Sequence, residues 1–221
     1  MTRTRVTVVG LAGGRLALSV VAVSRLRRGA ALQHPVQLCQ REHRAGRRAL
    51  RAGLAALRIP AGRLARRPDG GVQAPPRVLV TISHRDGVAV AAAWAPDGGP
   101  AAVRRRPPSR RRMTGLGIDI ERAGLLPHRA LRLVCAGSEL AGLREEPSWV
   151  DPTRLFAAKE ALYKATPLAA ERRFHPRQIS LRPLNAHTGV CVLDLGGRAV
   201  TAYVTTRQVG QRWLALCVAA G

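Results

Sequence analysis

Two acidic residues near the middle of the chain have the spacing of a cation site. Asp119 and Glu121 lie two positions apart in the segment GLGIDIE, residues 115–121. Because side chains two apart on a strand point to the same face, both carboxylates would share one face, while Ile118 and Ile120 share the other. Two carboxylates about 6–7 Å apart repel unless a cation lies between them. The pair is interpreted either as a solvated strand face or as a divalent-cation site, whose hard oxygen donors favour Mg²⁺.

A second candidate group lies on a helix predicted over 151–165. This helix carries Lys159 and Lys164, which are the only lysines of the chain. The other 35 of the 37 basic residues in the chain are arginines. At about 100° per residue, Lys159 points to the centre of the apolar arc, which is costly for an ammonium group unless it is paired or used. Glu160 and Lys164 have the spacing of an ordinary surface ion pair. A lysine can also act as a compact charge on phosphate or transfer a proton, which arginine cannot do.

The remaining pattern predicts an α+β protein that positions these residues. Residues 1–40 give no clear pattern. Val6–Val23, with Arg3 and Arg5 before it, has some likeness to a signal peptide, but it is interpreted as a strand followed by the start of a helix. Helices are predicted over 40–57, where apolar residues have helical spacing, over 127–135, and over 151–165, where Asp151 is the expected N-cap and Pro152 the first helical residue. Strands are predicted from β-branched runs between turn residues over 78–82, 88–94, 116–121, 178–184, 190–194, 198–206 and 212–219.

A basic, proline-rich stretch at 96–112 suggests the domain boundary. It carries six arginines within nine positions, and the like charges and prolines predict a linker. We therefore expect an N-terminal subdomain over 1–114 and a C-terminal subdomain over 115–221. The net charge is +24 overall, of which +19 falls in the first half and +5 in the second. Such an excess raises nucleic-acid binding as an alternative function, centred on the first half.

Composition excludes several other classes of protein. A hydrophobic fraction of 46% is enough to build a core, which excludes wholesale disorder. No stretch reaches the roughly 20 clean apolar residues of a membrane span, so we expect none. The four cysteines show no zinc-ligand spacing, and a cytoplasmic location is expected.

Taken together, the motifs resemble the 4′-phosphopantetheinyl transferases of the larger, monomeric type, which activate siderophore, lipopeptide and polyketide synthases. The resemblance lies in the strand GIDIE, residues 117–121, followed by the helix FAAKEALYK, residues 156–164. The segment TISH, residues 81–84, looks like the family's element for the 3′-phosphate end of coenzyme A, and EHRAGRRALR, residues 42–51, looks like its arginine helix. The likeness runs from about 40 to 185 and is greatest to the enterobactin-synthetase-activating branch. It implies a pseudo-dimer of two similar α+β subdomains with the active site between them.

The resemblance also implies a reaction and the residues that perform it. The family transfers the phosphopantetheine arm of coenzyme A to a serine of an apo-acyl or apo-peptidyl carrier protein, with Mg²⁺, leaving adenosine 3′,5′-bisphosphate. Asp119, Glu121 and Glu160 would hold Mg²⁺ with the pyrophosphate, and Glu160 would be the general base on the serine. Lys159 would steady the transferring phosphate or protonate the leaving group. Lys164 would bind the phosphate of the pantetheine arm.

The nucleotide end of coenzyme A would be held by residues of the first half. The resemblance assigns this role to Arg47, Arg51, Ser83 and His84, and Glu139 is matched to a further family glutamate. No specific nucleic acid is expected as a partner.

Two other functions remain as alternatives to the transferase that the resemblance implies. Aromatic residues for base stacking are only 3% of the chain, which weakens the alternative of a basic nucleic-acid-binding protein. Val78 and Val80 stand where this branch usually has glycines, and residues 1–40 do not resemble the family's N-terminal region. A catalytically inactive relative that binds carrier protein is therefore the other alternative.

Overall fold

The structure is a computed structural model that describes seven stretches of the 221-residue chain: 4–11, 13–23, 35–67, 71–97, 113–166, 175–194 and 199–220. The chain divides into two units, Met1–Arg110 and Arg111–Gly221. In each unit the longest helix packs against an antiparallel sheet, so the predicted α+β class is confirmed. Most of the predicted basic linker, from residue 98 to 112, lies outside the described residues.

The first unit contains one long helix and a four-stranded sheet. Its strands lie in the order β1-β2-β4-β3, and each neighbouring pair is antiparallel. The elements are β1 (Thr4–Leu11), β2 (Gly14–Ala22), α1 (Pro35–Ala56), β3 (Leu79–Arg85) and β4 (Val88–Pro96). The β3–β4 hairpin agrees with the prediction, because Asp86 and Gly87 both have positive φ and form the tight two-residue turn that Asp-Gly favours.

The first hairpin corrects the interpretation of Val6–Val23. The structure shows two strands there, not a strand followed by a helix start. Strand β1 is an edge strand with mostly exposed or half-buried residues, so its sequence lacks the clear alternation of a half-buried strand. Helix α1 also begins at Pro35, five residues earlier than predicted. Its buried side packs against alanines and valines of β2 and β4.

The second unit contains a five-stranded antiparallel sheet in the order β5-β9-β8-β7-β6. Helix α4 packs on this sheet with its longest contact along β5. The strands are β5 (Met113–Arg122), β6 (Ile179–Pro183), β7 (Thr188–Asp194), β8 (Ala199–Val209) and β9 (Arg212–Ala220). The helices are α2 (Leu131–Val134), α3 (Gly137–Leu143) and α4 (Pro152–Ala165).

The predicted helix over 127–135 is shorter than expected. A 3₁₀ turn at His128–Ala130 leads into α2, which ends at Val134. Helix α3 follows after two residues and was not predicted. Its seven residues are fewer than two complete hydrophobic repeats of a helix, which leaves little periodicity to detect.

Candidate active site

Helix α4 lies directly on β5 because two glycines of that strand have no side chain. A Cβ atom at Gly117 would overlap the carbonyl oxygen of Ala161, and one at Gly115 would overlap that of Ala165. Since side chains two apart share a face, Asp119 continues the same face of β5 and points toward α4. The glycine of the GIDIE motif therefore lets the helix approach closely enough to reach the first carboxylate.

The closest contact of this interface is an ion pair between Lys164 and Asp119. Lys164 Nζ donates to Asp119 Oδ1 at 2.6 Å and to Glu160 Oε2 at 3.2 Å. Glu160 is also in hydrogen-bonding contact with Asp119. Asp119 is only 1% exposed, whereas Lys164 and Glu160 each keep between a quarter and a third of their side chains accessible. The structure thus brings three of the predicted site residues into one partly accessible cluster.

The ionisation of this cluster is set by burial and by mutual charge. Burial raises the pKa of Glu160, the Lys164 ammonium opposes that effect, and the charge of Asp119 adds to it. Burial acts to lower the pKa of Lys164, but Asp119 and Glu160 outweigh it and hold that pKa above its ordinary value. The lysine therefore stays charged, beside a carboxyl group whose proton affinity is increased.

Glu121 is the remaining predicted metal ligand and lies two residues beyond Asp119 on β5. It is 6% exposed and shares the α4-facing side of the strand by alternation. Within the described stretches, no three His, Cys, Asp or Glu residues form a cluster that could hold a metal ion. The cation that contacts both Asp119 and Glu160 in this structure is the Lys164 ammonium. The donor set, three carboxylates, is nevertheless of the type that Mg²⁺ prefers.

Lys159 points to a different place from Lys164. Its side chain is fully buried, as its position in the apolar arc predicts, and its ammonium is bonded inside the fold. Lys159 Nζ donates to Glu139 Oε2 at 2.6 Å and to the carbonyl oxygen of Val134 at 2.8 Å. The contact of Lys159 with a reacting phosphate stays a prediction; in this structure its ammonium donates to the end of α2 and to Glu139 near the start of α3.

Glu139 connects three elements around that lysine. Besides Lys159, its carboxylate accepts from the backbone N–H groups of Leu181 on β6, at 3.0 Å, and of Ala136 at the start of α3, at 3.3 Å. Burial raises the pKa of Glu139, and the ion pair and the two backbone donors act against that effect. The glutamate that the resemblance matched is thus a buried structural partner of Lys159.

The start of α4 is held by a network around Asp151. Its Oδ1 accepts from the backbone N–H groups of Thr153 and Arg154, which confirms the predicted N-cap, and its Oδ2 accepts from Trp213 Nε1 at 2.7 Å. The Arg154 guanidinium lies over the rings of Trp149 and Trp213, at 3.8 and 5.0 Å from their centroids. These contacts fix the start of α4 and therefore help to set the positions of Glu160 and Lys164 relative to β5.

In the first unit, the predicted nucleotide-binding histidine has a buried acidic partner. His84 Nδ1 lies 3.1 Å from Glu42 Oε2, and the N–H of Gly87 donates to Glu42 Oε1 at 2.6 Å. Glu42 is 7% exposed, on the side of α1 that faces the sheet. It therefore connects α1 to the histidine and to the β3–β4 turn. The sequence interpretation missed this role, although Glu42 precedes Ala45 and Ala49 at the i, i+3, i+7 spacing of the buried face.

The other predicted nucleotide-binding residues are only partly brought together. Ser83 is buried on the face of β3 opposite to His84, since adjacent strand residues alternate, so these two side chains do not converge. Arg47 is half-buried on α1 and donates to the carbonyl oxygen of Leu64. Arg51 lies one turn further on, exposed to solvent. Two of these residues, Arg47 and Arg51, thus lie on α1, next to the strand that carries His84. The side chain of Ser83 lies on the other face of that strand.

Val78 and Val80, which stand where the family usually has glycines, pack against the hydrophobic core. Val78 is 4% exposed, and Val78 and Val80 both contact the hydrophobic core beneath α1. Their side chains are directed into this core.

Comparison with known proteins gives matches in both units. Residues 115–217 match the model described as the 4′-phosphopantetheinyl transferase superfamily, and residues 28–94 match the 4′-phosphopantetheinyl transferase N-terminal domain. Among solved structures, the holo-(acyl-carrier-protein) synthase of Thermotoga maritima aligns with 18% identity and a TM-score of 0.35, covering 49% of this chain. The chain spans 64% of the length of that protein. A search of curated proteins gives no significant match.

The two family matches lie one in each unit, and both models describe 4′-phosphopantetheinyl transferases. The chain belongs to the 4′-phosphopantetheinyl transferase superfamily, and its N-terminal domain is consistent with the larger type within it. The Asp119, Glu160 and Lys164 cluster falls inside the first match, and the Glu42–His84 pair falls inside the second. None of the described helices has the length and apolarity needed to cross a membrane.

Proposed function

We propose that this protein transfers the 4′-phosphopantetheine arm of coenzyme A to a serine of an apo-acyl or apo-peptidyl carrier protein, in the cytoplasm and as a monomer. The products are the holo-carrier protein and adenosine 3′,5′-bisphosphate. The observation that carries the proposal is the convergence of Asp119, Glu160 and Lys164 within the region that matches the transferase family. A carrier protein of a siderophore or antibiotic synthase is the class of acceptor that the proposal names.

The chemistry assigns a different task to each member of the cluster. The serine hydroxyl attacks the phosphorus that bears the pantetheine arm, and the bond from that phosphorus to the bridging pyrophosphate oxygen breaks. Glu160 accepts the serine proton, a task to which a carboxylate with a raised pKa is suited. Lys164, held charged by its neighbours, binds oxygens of the transferring phosphate and offsets the charge that develops on them.

Mg²⁺ is part of the proposal through the donor set on β5 and α4. Asp119, Glu121 and Glu160 would hold the ion, which when bound neutralises charge on the pyrophosphate oxygens. Asp119 serves this role well, because its buried carboxylate already forms an ion pair with a cation on α4.

Lys159 takes an anchoring role in this proposal. Its ammonium is inaccessible and donates to Glu139 and to Val134, so it fixes α4 against α2 and α3. It acts on the reaction by positioning Glu160, the next residue along the helix.

The nucleotide end of coenzyme A is proposed to bind in the first unit. Arg47 and Arg51 supply positive charge on α1, His84 supplies an imidazole nitrogen on β3, and Glu42 orients the ring of His84. Ser83 contributes through its backbone position next to His84, since its side chain lies on the opposite face of β3.

Intact-mass measurement of an apo-carrier protein tests the proposal directly. After incubation with this protein, coenzyme A and Mg²⁺, the carrier protein should gain the mass of one phosphopantetheine group, and excess chelator should prevent the gain. Glu160→Gln should lower the rate at least about 100-fold, as expected for loss of a general base. Glu145→Gln, which changes an exposed carboxylate of the same unit, is the matched control and should keep the rate.

Other outcomes would favour the alternatives. A carrier protein that binds but never gains mass would identify an inactive relative. Salt-sensitive binding of nucleic acid without any transfer would point to the basic nucleic-acid-binding function.

A further inference from the structure

A second histidine lies beside His84 and has no task in the proposed transfer. The ring centroids of His43 and His84 are 4.6 Å apart, and the rings meet edge to face at 65°. His43 is on α1 and is exposed, while His84 is on β3 and keeps 23% of its side chain accessible. The two imidazoles therefore present adjacent nitrogen donors at one place on the first unit.

Two arginines lie near His43. The titratable or charged groups of described residues that act on it are His84 from β3, Arg66 from the segment after α1, and Arg47 and Glu42 from α1 itself. Glu42 is the single acidic member of that set, and its carboxylate is directed inward, to His84 Nδ1 and to the N–H of Gly87. The accessible side of the group therefore carries positive charge.

This environment decides the protonation of His43 before any ligand binds. Partial desolvation by the neighbouring side chains lowers the pKa of His43 below 6.5, and His84, Arg66 and Arg47 lower it further, while Glu42 alone acts in the opposite direction. The ring is consequently neutral near pH 7. A phosphate dianion placed beside Arg47 and Arg66 would offset their effect on His43 and would raise the pKa of its ring.

We propose that His43 is a further ligand of a phosphate monoester bound beside His84, and that it takes up one proton from solvent when the phosphate binds. The identity of that ligand rests on the proposed function, in which it is the 3′-phosphate of coenzyme A. The contact between the two imidazoles, and the electrostatic influence of Arg47 and Arg66 on His43, do not depend on that function.

The sign of the pH dependence follows from the two states of His43. In the free protein its pKa is lowered, and with phosphate bound it is raised, so protons are taken up on binding between those two values. Affinity should therefore rise as pH falls through that interval and should level off above it, where the ring is neutral in both states. One linked proton corresponds to at most about a tenfold change in affinity per pH unit.

Calorimetric titration of the full-length protein measures this linkage. The probes are adenosine 3′,5′-bisphosphate and inorganic sulfate, the second of which keeps its charge across the range and adds no titration of its own. Titration near pH 6 in two buffers that differ in ionisation enthalpy gives the number of protons taken up. Wild type is compared with His43→Gln and with His187→Gln, an exposed histidine of the other unit.

The expected result is a proton uptake that depends on His43. Wild type and His187→Gln should bind about three- to tenfold more tightly per unit fall in pH around pH 6. His43→Gln should lose most of that uptake and bind several-fold more weakly near pH 6, but nearly as well as wild type near pH 8. Any contribution from His84 or from the ligand's own phosphate is common to these proteins and cancels in the difference.

Equal proton uptake and equal affinity in wild type and His43→Gln would overturn the inference, and carrier-protein modification could still proceed. Conversely, the protein could show His43-dependent proton uptake and yet never modify a carrier protein. That result would support the inference and contradict the proposed function.

Discussion

Lys164 Nζ lies 2.6 Å from Asp119 Oδ1, although 45 residues separate the two in the chain. The pair joins the last turn of α4 to the middle of β5, and Glu160 shares the same ammonium. This contact depends on the glycines of β5, because a side chain there would lift the helix from the strand. Close approach of two backbones thus creates the partly accessible charged cluster.

Removing the shared ammonium should leave two adjacent carboxylates without their common cation. We expect Lys164→Ala to lower the free energy of unfolding by about 1–3 kcal/mol, the usual contribution of hydrogen bonds to charged groups. Because the carboxylates then repel, Mg²⁺ should raise the thermal midpoint of this variant more than that of wild type. Thermal unfolding with and without Mg²⁺ measures both effects.

Two further variants make that prediction specific. Arg177→Ala removes an exposed cation of the same unit and should change neither quantity. Adding Asp119→Asn to Lys164→Ala should abolish the extra response to Mg²⁺. An undiminished response in that double variant would show that Asp119 is not part of the donor set.

Removing one partner of the buried Lys159–Glu139 pair should destabilise the protein more than removing both charges. Lys159→Met leaves the Glu139 carboxylate buried without its charge partner, and we expect a loss of about 3–5 kcal/mol. The double change Lys159→Met with Glu139→Gln should recover a substantial part of that loss. Urea unfolding with an unchanged m-value measures the coupling.

The same variants decide what Lys159 contributes to transfer. If it anchors α4, the double variant should keep a turnover number within about tenfold of wild type once the protein is fully folded. A turnover number that remains at least about 100-fold lower would restore a direct catalytic role.

The absence of a side chain at Gly117 should be essential for packing. A methyl group there would overlap the backbone of Ala161, so Gly117→Ala should cost about 1–3 kcal/mol or more and should reduce transfer through the displaced helix. Gly142 lies on α3 with nothing within 4 Å of its added Cβ, and Gly142→Ala should stabilise by about 0.5–1 kcal/mol. Thermal midpoints that move in the same direction for both variants would contradict this.

The four cysteines should differ sharply in reactivity. Cys39 is exposed, whereas burial raises the pKa of Cys135 to about 12 and also raises those of Cys191 and Cys217. A maleimide added to the folded protein near pH 7 should therefore label Cys39 alone, and all four thiols should react in denaturant. Rapid labelling of a second thiol in the folded state would show that the core of the second unit opens.

A good part of helix α4 and strand β5 could be predicted from the sequence. The N-cap at Asp151, the length of α4 and the inward direction of Lys159 all follow from spacing within one segment, and the structure confirms them. The shared face of Asp119 and Glu121 likewise follows from strand alternation. These features are set by the backbone geometry of a single helix or strand, which repeats every 3.6 or 2 residues wherever the segment lies.

The partners of the charged side chains could not be obtained in this way. Lys159 has the same residue type as Lys164 and lies five positions before it, yet one ammonium meets Glu139 inside the core and the other meets Asp119 at an accessible site. Glu42 was likewise overlooked as the partner of His84, 42 residues away. Such contacts depend on the order of strands in a sheet and on how closely a helix approaches it. Those quantities are fixed by packing between distant segments, so only the tertiary structure decides which charges meet.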